Sequence, residues 1–231
     1  MNVPTIVKNI LINKIKGLNM KKVIALLFTS LFLMSTAYAG GMIGVKVGTG
    51  ELEGKRTSTG EASGKTSDSI NSEYGAVFAE VNLADSPVSL GLELVPMEGV
   101  IDTKSDTATD TQVTVSDLLT VYLLAAKEMD FGSIYGKVGY ASADLSAVSN
   151  YGLTLSNMSD AAEGPMIGIG AQFDVTADII STVINTVRLE ATHTMFDDLK
   201  ISSADDDGGP TANRTGEADL TTVSISLAKS F

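Results

Sequence analysis

The feature that most constrains this chain is a two-residue alternation of apolar and polar side chains, which is clearest at its end. In TTVSISLAKSF, residues Val223, Ile225 and Leu227 share one parity with the terminal Phe231, while serine and threonine dominate the other. A period of two predicts a strand with one apolar and one polar face. Since chain termini are usually frayed and polar, we expect this last strand to be paired within a closed sheet.

Seven further stretches after residue 40 are read as strands, at 40–50, 73–84, 88–98, 116–127, 131–145, 164–176 and 185–196. Most of them alternate, but 116–127 is apolar on both parities, a pattern that a buried helix segment would also give. The whole series predicts an all-β fold with eight antiparallel strands of about 10 residues, the length of a tilted bilayer crossing.

The connections between these stretches alternate in length. Short ones are predicted near Ala84–Pro87, Lys127–Asp130 and Thr176–Thr182. Four long polar ones are predicted near Glu51–Ser72, Gly99–Thr114, Asp144–Ala162 and Asp197–Gly216. Long connections at one end and short turns at the other are typical of an up-and-down transmembrane barrel in an outer membrane.

The first 39 residues are interpreted as a leader that is removed from the mature protein. Lys21 and Lys22 precede a short apolar core, and Ala37 and Ala39 supply the small residues of a cleavage site before Gly40. Met20 fits the start of a signal peptide over 20–39, with 1–19 as an upstream extension; a start at Met1 with a long positive leader is the alternative. The mature domain is therefore expected to span 40–231, after a cleaved N-terminal signal helix.

The charge and the cysteine content exclude several classes of function and of site. Five of the 16 lysines and arginines lie in the leader, which leaves 11 basic against 28 acidic residues in the mature chain, a net charge of -17. Nucleic-acid binders neutralise phosphates with basic residues, so the charge excludes a binder of this kind. The chain has no cysteine, which rules out disulfides and thiolate metal sites.

The polar face distinguishes a membrane barrel from a soluble lipid-binding barrel, which would turn its apolar face inward. Glycine, alanine, serine and threonine dominate this face, whereas a water-facing surface would be rich in charged residues. Six charges of both signs interrupt it, and we expect them to form a cluster inside the barrel: Lys46, Glu80, Glu93, Lys137, Arg188 and Glu190. Buried charges need partners, and Lys46 with Glu80 is the expected pair, because their strands are neighbours.

Four stretches carry a resemblance to a known family. IYGKVGYA at 134–141, GIGAQFDVT at 168–176, VRLEATHTMFDDLK at 187–200 and the terminal SISLAKSF resemble the eight-stranded outer-membrane β-barrels that include the outer membrane protein A transmembrane domain and the opacity proteins. Three departures stand out: Lys229 replaces an aromatic or apolar residue, and Ala191 and His193 replace tyrosines.

The resemblance implies a Gram-negative-type outer-membrane location and contact with outer-membrane lipid and lipopolysaccharide. It also implies insertion with the help of periplasmic chaperones and the barrel assembly machinery, which reads an aromatic-ended terminal strand, and a monomeric state. We expect no peptidoglycan-binding domain after Phe231, so cell-wall anchoring is not carried over from the family.

The sequence offers few candidates for catalysis or cofactor binding. GEASGKTSD, at 60–68, has three residues between its first two glycines where a phosphate-binding loop has four. His193 is the sole histidine, and Glu190 lies on the opposite parity, so no triad is apparent. Asp205, Asp206 and Asp207 lack the spacing of a calcium loop; we expect a solvated loop tip, with weak divalent-cation bridging to lipopolysaccharide as the alternative. We predict no enzyme activity, cofactor or metal.

The expected function is a structural or surface-interaction role in the cell envelope, with four long polar loops presented outside. Two alternatives stay open: a small porin-like diffusion channel lined by the six charges, and an adhesin or partner-binding surface on the loops. A membrane enzyme that uses His193 is a third. An eight-stranded barrel has just enough interior room for its side chains, which argues against an open pore.

Overall fold

The computed structural model describes residues 40–59, 65–83, 86–103, 111–130, 132–149, 154–156, 161–175, 183–204 and 212–231. The predicted leader, including Ala37 and Ala39, lies outside these residues, as do the glycine-rich segment at 60–64 and Asp205 to Asp207. Among the residues in these ranges, no helix is long and apolar enough to cross a membrane.

The described residues form nine strands: β1 Gly41–Thr59, β2 Lys65–Asn82, β3 Val88–Thr103, β4 Thr111–Met129, β5 Gly132–Ser149, β6 Thr154–Ser156, β7 Ala161–Asp174, β8 Thr186–Ala204 and β9 Ala212–Ser230. Strand β6 has only three residues and pairs with the far end of β8. The other eight strands build the barrel, which confirms the predicted fold class.

The eight long strands form a closed antiparallel ring. Each pairs with its neighbour in chain order, and β9 pairs with β8 on one side and with β1 on the other. The seam between the first and last strands runs without a break from Met42 opposite Ser230 to Thr59 opposite Asn213. Closure pairs the backbone groups of both terminal strands, which a sheet in hydrocarbon requires.

The strands are longer than the sequence predicts. Barrel strands contain 14 to 19 residues, and they run deep into the segments that we expected to be long loops. The two arms of the first hairpin, for example, stay in register from Gly41 opposite Val81 to Thr57 opposite Lys65. The outer segments of this hairpin, at 53–59 and 65–69, contain polar residues or glycine at every position. They carry no alternation of hydropathy, so sequence periodicity cannot reveal them.

Irregularities in the strand pairing occur on the long-connection side of the barrel. The register shifts between Val95 and Glu98, between Ser116 and Leu119, and between Phe196 and Leu199. Asp117, inside the second of these, has a φ of 52°, in the left-handed region that Asp tolerates better than most residues. Bulges of this kind bend and twist a strand locally.

Strand β4 resolves the ambiguous apolar stretch at 116–127. Val121 and Leu123 are exposed, whereas Tyr122 and Leu124 are buried. The stretch is therefore an alternating strand whose inward face is also apolar. Tyr122 and Leu124 form a buried cluster with Tyr135 and Met166, so both faces are apolar because the interior contains an apolar layer at this level.

The two faces of the barrel differ as predicted for a barrel in lipid. On β1, β7 and β9, apolar residues of one parity are exposed; among them are Ile43, Val47, Ile169 and Val223, with Ile169 reaching 71%. Residues of the other parity are buried or half-buried. The six predicted interior charges, five of which lie on other strands, are all buried. Two residues depart from the pattern: Ala79 and Leu92, which stand opposite each other on β2 and β3, have the outer parity of their strands but are only 8% and 3% exposed.

Candidate functional site: the ionic interior

The six charged residues of the polar face come together inside the barrel from five strands. They are Lys46 on β1, Glu80 on β2, Glu93 on β3, Lys137 on β5, and Arg188 with Glu190 on β8. Each is between 3% and 8% exposed. Three cations thus face three carboxylates, so the interior cluster carries no net formal charge.

Two lysines and two glutamates form the first part of this cluster. Lys46 Nζ lies 2.6 Å from Glu93 Oε2 and 2.5 Å from Glu190 Oε1. Lys137 Nζ lies 2.9 Å and 3.1 Å from the same two oxygens. Each lysine therefore bridges both glutamates, and the four residues link β1, β3, β5 and β8 across the barrel.

The predicted pair of Lys46 with Glu80 is wrong. Although their strands are neighbours, Lys46 stands opposite Ala76 and Glu80 stands opposite Met42. This register places the two charges four positions apart along the strand direction, and each reaches across the interior to a more distant strand instead. Adjacency of strands in sequence does not supply the register, which decides the contact.

Arg188 and Glu80 form the second part of the cluster. Their contact is bidentate, with Arg188 Nη1 2.6 Å from Glu80 Oε1 and Nη2 2.7 Å from Oε2. Arg188 also donates from Nε to the Gln172 side-chain oxygen at 2.9 Å. A planar guanidinium matches a carboxylate in this geometry, which is among the stronger hydrogen-bonded contacts in proteins.

Aromatic residues complete the interior, and sequence reasoning did not assign them to the site. The Tyr122 hydroxyl donates to Glu80 Oε1 at 2.7 Å, and the Tyr135 hydroxyl donates to Glu190 Oε2 at 3.0 Å. Lys137 Nζ lies 3.9 Å from the centre of the Tyr122 ring, within cation–π range. For Tyr135 and Phe78 the available signal was parity, since they share the inward face of their strands with Lys137 and Glu80.

Two glycines make room for the tyrosine rings. A Cβ on Gly91 would lie 2.2 Å from Cζ of Tyr122, and one on Gly170 would lie 2.3 Å from Cζ of Tyr135. No side chain fits at such distances without displacing the ring. These strand glycines therefore bring the backbone close to the aromatic residues that hold Glu80 and Glu190.

His193 lies apart from the ionic interior. It has the outward parity of β8, and its Nδ1 is 2.9 Å from Thr221 Oγ1 on β9. Glu190, on the other parity, is engaged by the two lysines and by Tyr135. Within the described part of the chain, no three histidine or acidic residues are placed to hold a metal ion.

The residues predicted to close the barrel lie at the seam. Val223, Ile225 and Leu227 on the outer face of β9, and Phe231 directly after the strand, are all more than 40% exposed. Gly41 and Phe231 exchange two backbone hydrogen bonds, of 2.9 and 3.0 Å. On the other side of β9, Asn185 donates from Nδ2 to the Ser230 carbonyl at 3.1 Å and accepts from the Ser230 N–H at 2.8 Å. The end of the chain is therefore paired on both sides.

Comparison with known proteins gives only distant similarities. No protein-family model matches the chain, and no curated protein sequence matches it. Among solved structures, the attachment invasion locus protein Ail of Yersinia pestis is 11% identical, with 81% of this chain and 98% of that one covered and a TM-score of 0.38.

Two further solved structures show similarity at the same level. Neisserial surface protein A is 9% identical, with coverages of 79% and 96% and a TM-score of 0.39. The outer membrane protease OmpT of Escherichia coli is 9% identical, with coverages of 82% and 96% and a TM-score of 0.44. The strand pairing of this chain establishes its fold independently of these values.

An exposed apolar belt around a buried ionic interior is the reverse of a soluble barrel, which keeps its charges in water. The belt is the surface that a bilayer requires, and the alternation of short turns with long hairpins is that of bacterial outer-membrane barrels. The chain is an eight-stranded antiparallel β-barrel of the outer-membrane type.

Proposed function

We propose that this protein is a non-enzymatic structural barrel of the outer membrane, whose task outside the cell is performed by its polar hairpins. The observation that carries the proposal is the neutral, fully paired ionic cluster across the interior. All six charges have an oppositely charged partner within 3.1 Å. A structural barrel needs interior contacts that join its strands, and this cluster connects five of the eight barrel strands.

The energetics of buried charges favour a closed interior. Removing one partner of a buried ion pair typically costs about 3 to 5 kcal/mol, because the other charge stays desolvated without compensation. Opening a path through the cluster would separate several pairs at once. The tyrosine hydroxyls on Glu80 and Glu190 add to this cost.

Planar-bilayer recording of the purified barrel tests the proposal against the porin-like alternative. The wild-type protein is expected to give no sustained conductance. A matched pair of variants at the bidentate contact, Glu80→Gln and Arg188→Gln, is expected to create or increase conductance. Steady wild-type currents whose ion selectivity changes in these two variants would instead establish a diffusion channel.

The length of the hairpins favours a second candidate function, an adhesin or partner-binding surface. The strands are 14 to 19 residues long, whereas a tilted bilayer crossing needs about 9 to 11. The surplus extends the hairpins beyond the membrane as ordered sheet. Glu51, Glu53, Glu217 and Glu73 are exposed on the outer face of these extensions, so a partner with basic groups suits them better than a polyanion.

Excision of one hairpin tests the second candidate. Glu51 and Asn71 stand opposite each other in register, so residues 52–70 can be replaced by an Asn-Gly turn that joins the two strands. The shortened barrel is expected to fold, to keep its heat-modifiable gel mobility and to lose adhesion to cells or matrix. A shortened barrel that folds and adheres as the full chain does would contradict a binding role for this hairpin.

The absence of enzyme activity is tested at the sole histidine. His193→Ala is expected to leave phospholipid composition unchanged when the barrel is incubated in mixed vesicles, because the intact protein turns over no lipid. Lipid hydrolysis by the intact barrel that disappears in His193→Ala would establish a membrane enzyme.

A further inference from the structure

One row of outer-face residues combines small and large side chains across five strands. In register, Ala125 on β4 stands opposite Gly136 on β5, Gly136 opposite Ile169 on β7, Ile169 opposite Ala191 on β8, and Ala191 opposite Val223 on β9. Three of these five residues are alanine or glycine. Ala125, Gly136 and Ala191 form the floor of a groove in the apolar belt.

Larger residues form the walls of this groove. Ile134 and Leu189 are about half exposed beside it, and Ile169 projects from it. The groove is shallow and open to the outside of the barrel, with a volume of about 730 Å³. Its lining is mostly apolar; the polar members are Lys127 at one end and the inward-facing Tyr135 and Glu190. A hydrocarbon chain is therefore the chemistry that most of the groove accepts.

Gly136 keeps the floor of the groove low. A Cβ built on this residue would meet no atom within 4 Å. By contrast, a Cβ built on the inward-facing Gly91, Gly139 or Gly170 would lie within 3 Å of another atom, so glycine is required at these positions. Glycine weakens a strand and often marks a site where a ligand approaches closely. The packing of the barrel itself gives no reason for glycine at 136.

A cation stands at one end of the groove. Lys127 lines it and is exposed, and it lies opposite Ile134 in register. The chain turns at Asp130 between β4 and β5, a short turn of the kind that faces the periplasm in outer-membrane barrels. Lys127 is therefore placed near the headgroups of the periplasmic leaflet.

We propose that this groove binds one acyl chain of an anionic phospholipid from the periplasmic leaflet, with the lipid phosphate against Lys127. The apolar floor and walls select the chain, and the lysine selects the headgroup. A lysine near an anionic lipid surface contributes about 1 kcal/mol, which corresponds to an enrichment of about fivefold. The site lies on the outer face, so the proposal is independent of whether the barrel conducts or binds a partner through its hairpins.

The lack of tryptophan in the chain permits a direct test. A single tryptophan is introduced in the groove wall as Leu189→Trp, or away from the groove as Val77→Trp on β2, three strands from β8. Each barrel is reconstituted in phosphatidylcholine vesicles that contain a minor fraction of phosphatidylglycerol with brominated acyl chains, which quench tryptophan on contact. The reverse experiment places the bromines on phosphatidylcholine.

The expected result is selective quenching at the groove. Brominated phosphatidylglycerol should quench Leu189→Trp as though enriched about fivefold, and should quench Val77→Trp in proportion to its bulk fraction. Adding Lys127→Gln or Gly136→Leu to Leu189→Trp should abolish the enrichment, the first by removing the charge and the second by filling the groove. A conserved gel-mobility shift on heating shows that each variant is folded.

Two results would overturn the proposal. One is equal quenching of the two tryptophans by brominated phosphatidylglycerol in folded barrels. The other is an enrichment that persists in folded Lys127→Gln or that brominated phosphatidylcholine reproduces, since either would show that the lysine does not select the headgroup.

Discussion

Arg188 and Glu80 meet through two parallel hydrogen bonds of 2.6 and 2.7 Å although 108 residues separate them in the chain. The contact joins β8 to β2 across the interior of the barrel. It forms only when the ring has closed with the correct register, so it stabilises the closed barrel over partly assembled sheets.

We predict that breaking this pair destabilises the barrel strongly. Glu80→Ala leaves Arg188 buried without its carboxylate and should lower the free energy of unfolding by about 3 to 5 kcal/mol. Urea unfolding in detergent micelles, followed by circular dichroism, measures the change.

The double variant Glu80→Leu with Arg188→Leu is the control, because it removes both charges. It should recover much of the lost stability. A single variant that unfolds at the wild-type urea concentration would contradict a structural role for the pair.

The two interior lysines are predicted to act as a coupled unit. Lys46 and Lys137 share the carboxylates of Glu93 and Glu190. Removing one lysine therefore changes the electrostatic interactions of the other. A double-mutant cycle with Lys46→Met and Lys137→Met should give an interaction energy of about 0.5 to 3 kcal/mol. Lys55, exposed on the extension of β1, serves as the reference, and Lys55→Met should add independently to Lys137→Met. Strict additivity of the two interior variants would argue against a shared network.

The glycines beside the tyrosine rings provide a prediction about packing. Gly91→Ala and Gly170→Ala place a methyl group against Tyr122 and Tyr135 and should each cost about 1 to 3 kcal/mol. Gly136→Ala, on the same kind of strand but facing open space, should be neutral or slightly stabilising. Thermal unfolding of the three variants on a temperature-stepped gel compares them directly. Equal losses of stability at all three positions would show that backbone propensity, and not the contact with the ring, determines the effect of the substitution.

Asn185 is predicted to secure the end of the closing strand. Asn185→Ala removes the side chain that both donates to and accepts from the backbone of Ser230. Hydrogen exchange of the C-terminal peptide should then accelerate, while exchange elsewhere in the barrel stays slow. Asn82, whose side-chain oxygen accepts only from the Ser89 hydroxyl among its described contacts, gives the control variant Asn82→Ala. Unchanged exchange at Ser230 in Asn185→Ala would show that pairing with β1 alone holds the strand.

The barrel and its inward-facing charges can be predicted from the sequence, because both are visible in the alternation of apolar and polar residues along each strand. Alternation assigns Lys46, Glu93 and Arg188 to the polar face without knowledge of which strands meet. The pairing of these charges does not follow, since it depends on register and on distances across the barrel. Tyr122 could not be assigned to the interior for a different reason. Its stretch is apolar on both parities, so the sequence does not show which side chains point inward.

The ends of the strands escape prediction for a different reason. Within the bilayer one face must be apolar, and this contrast marks the strand. In the outer part of the β1–β2 hairpin, at 53–59 and 65–69, polar residues or glycine occupy both parities, so a paired strand and a polar loop have similar compositions. The backbone pairing of Leu52 with Ile70, well inside a segment predicted as loop, is visible only in the structure.

The central claim is that lipid lies outside this barrel and its charges are enclosed. Since the chain has no cysteine, single cysteines along β9 from 222 to 227 can carry nitroxide labels in reconstituted vesicles. Collision with oxygen is expected to peak at Val223, Ile225 and Leu227 and to fall at the positions between them, because only these three side chains face lipid. Higher collision rates at these three positions with a water-soluble nickel reagent than with oxygen would place them in an aqueous environment and contradict the account.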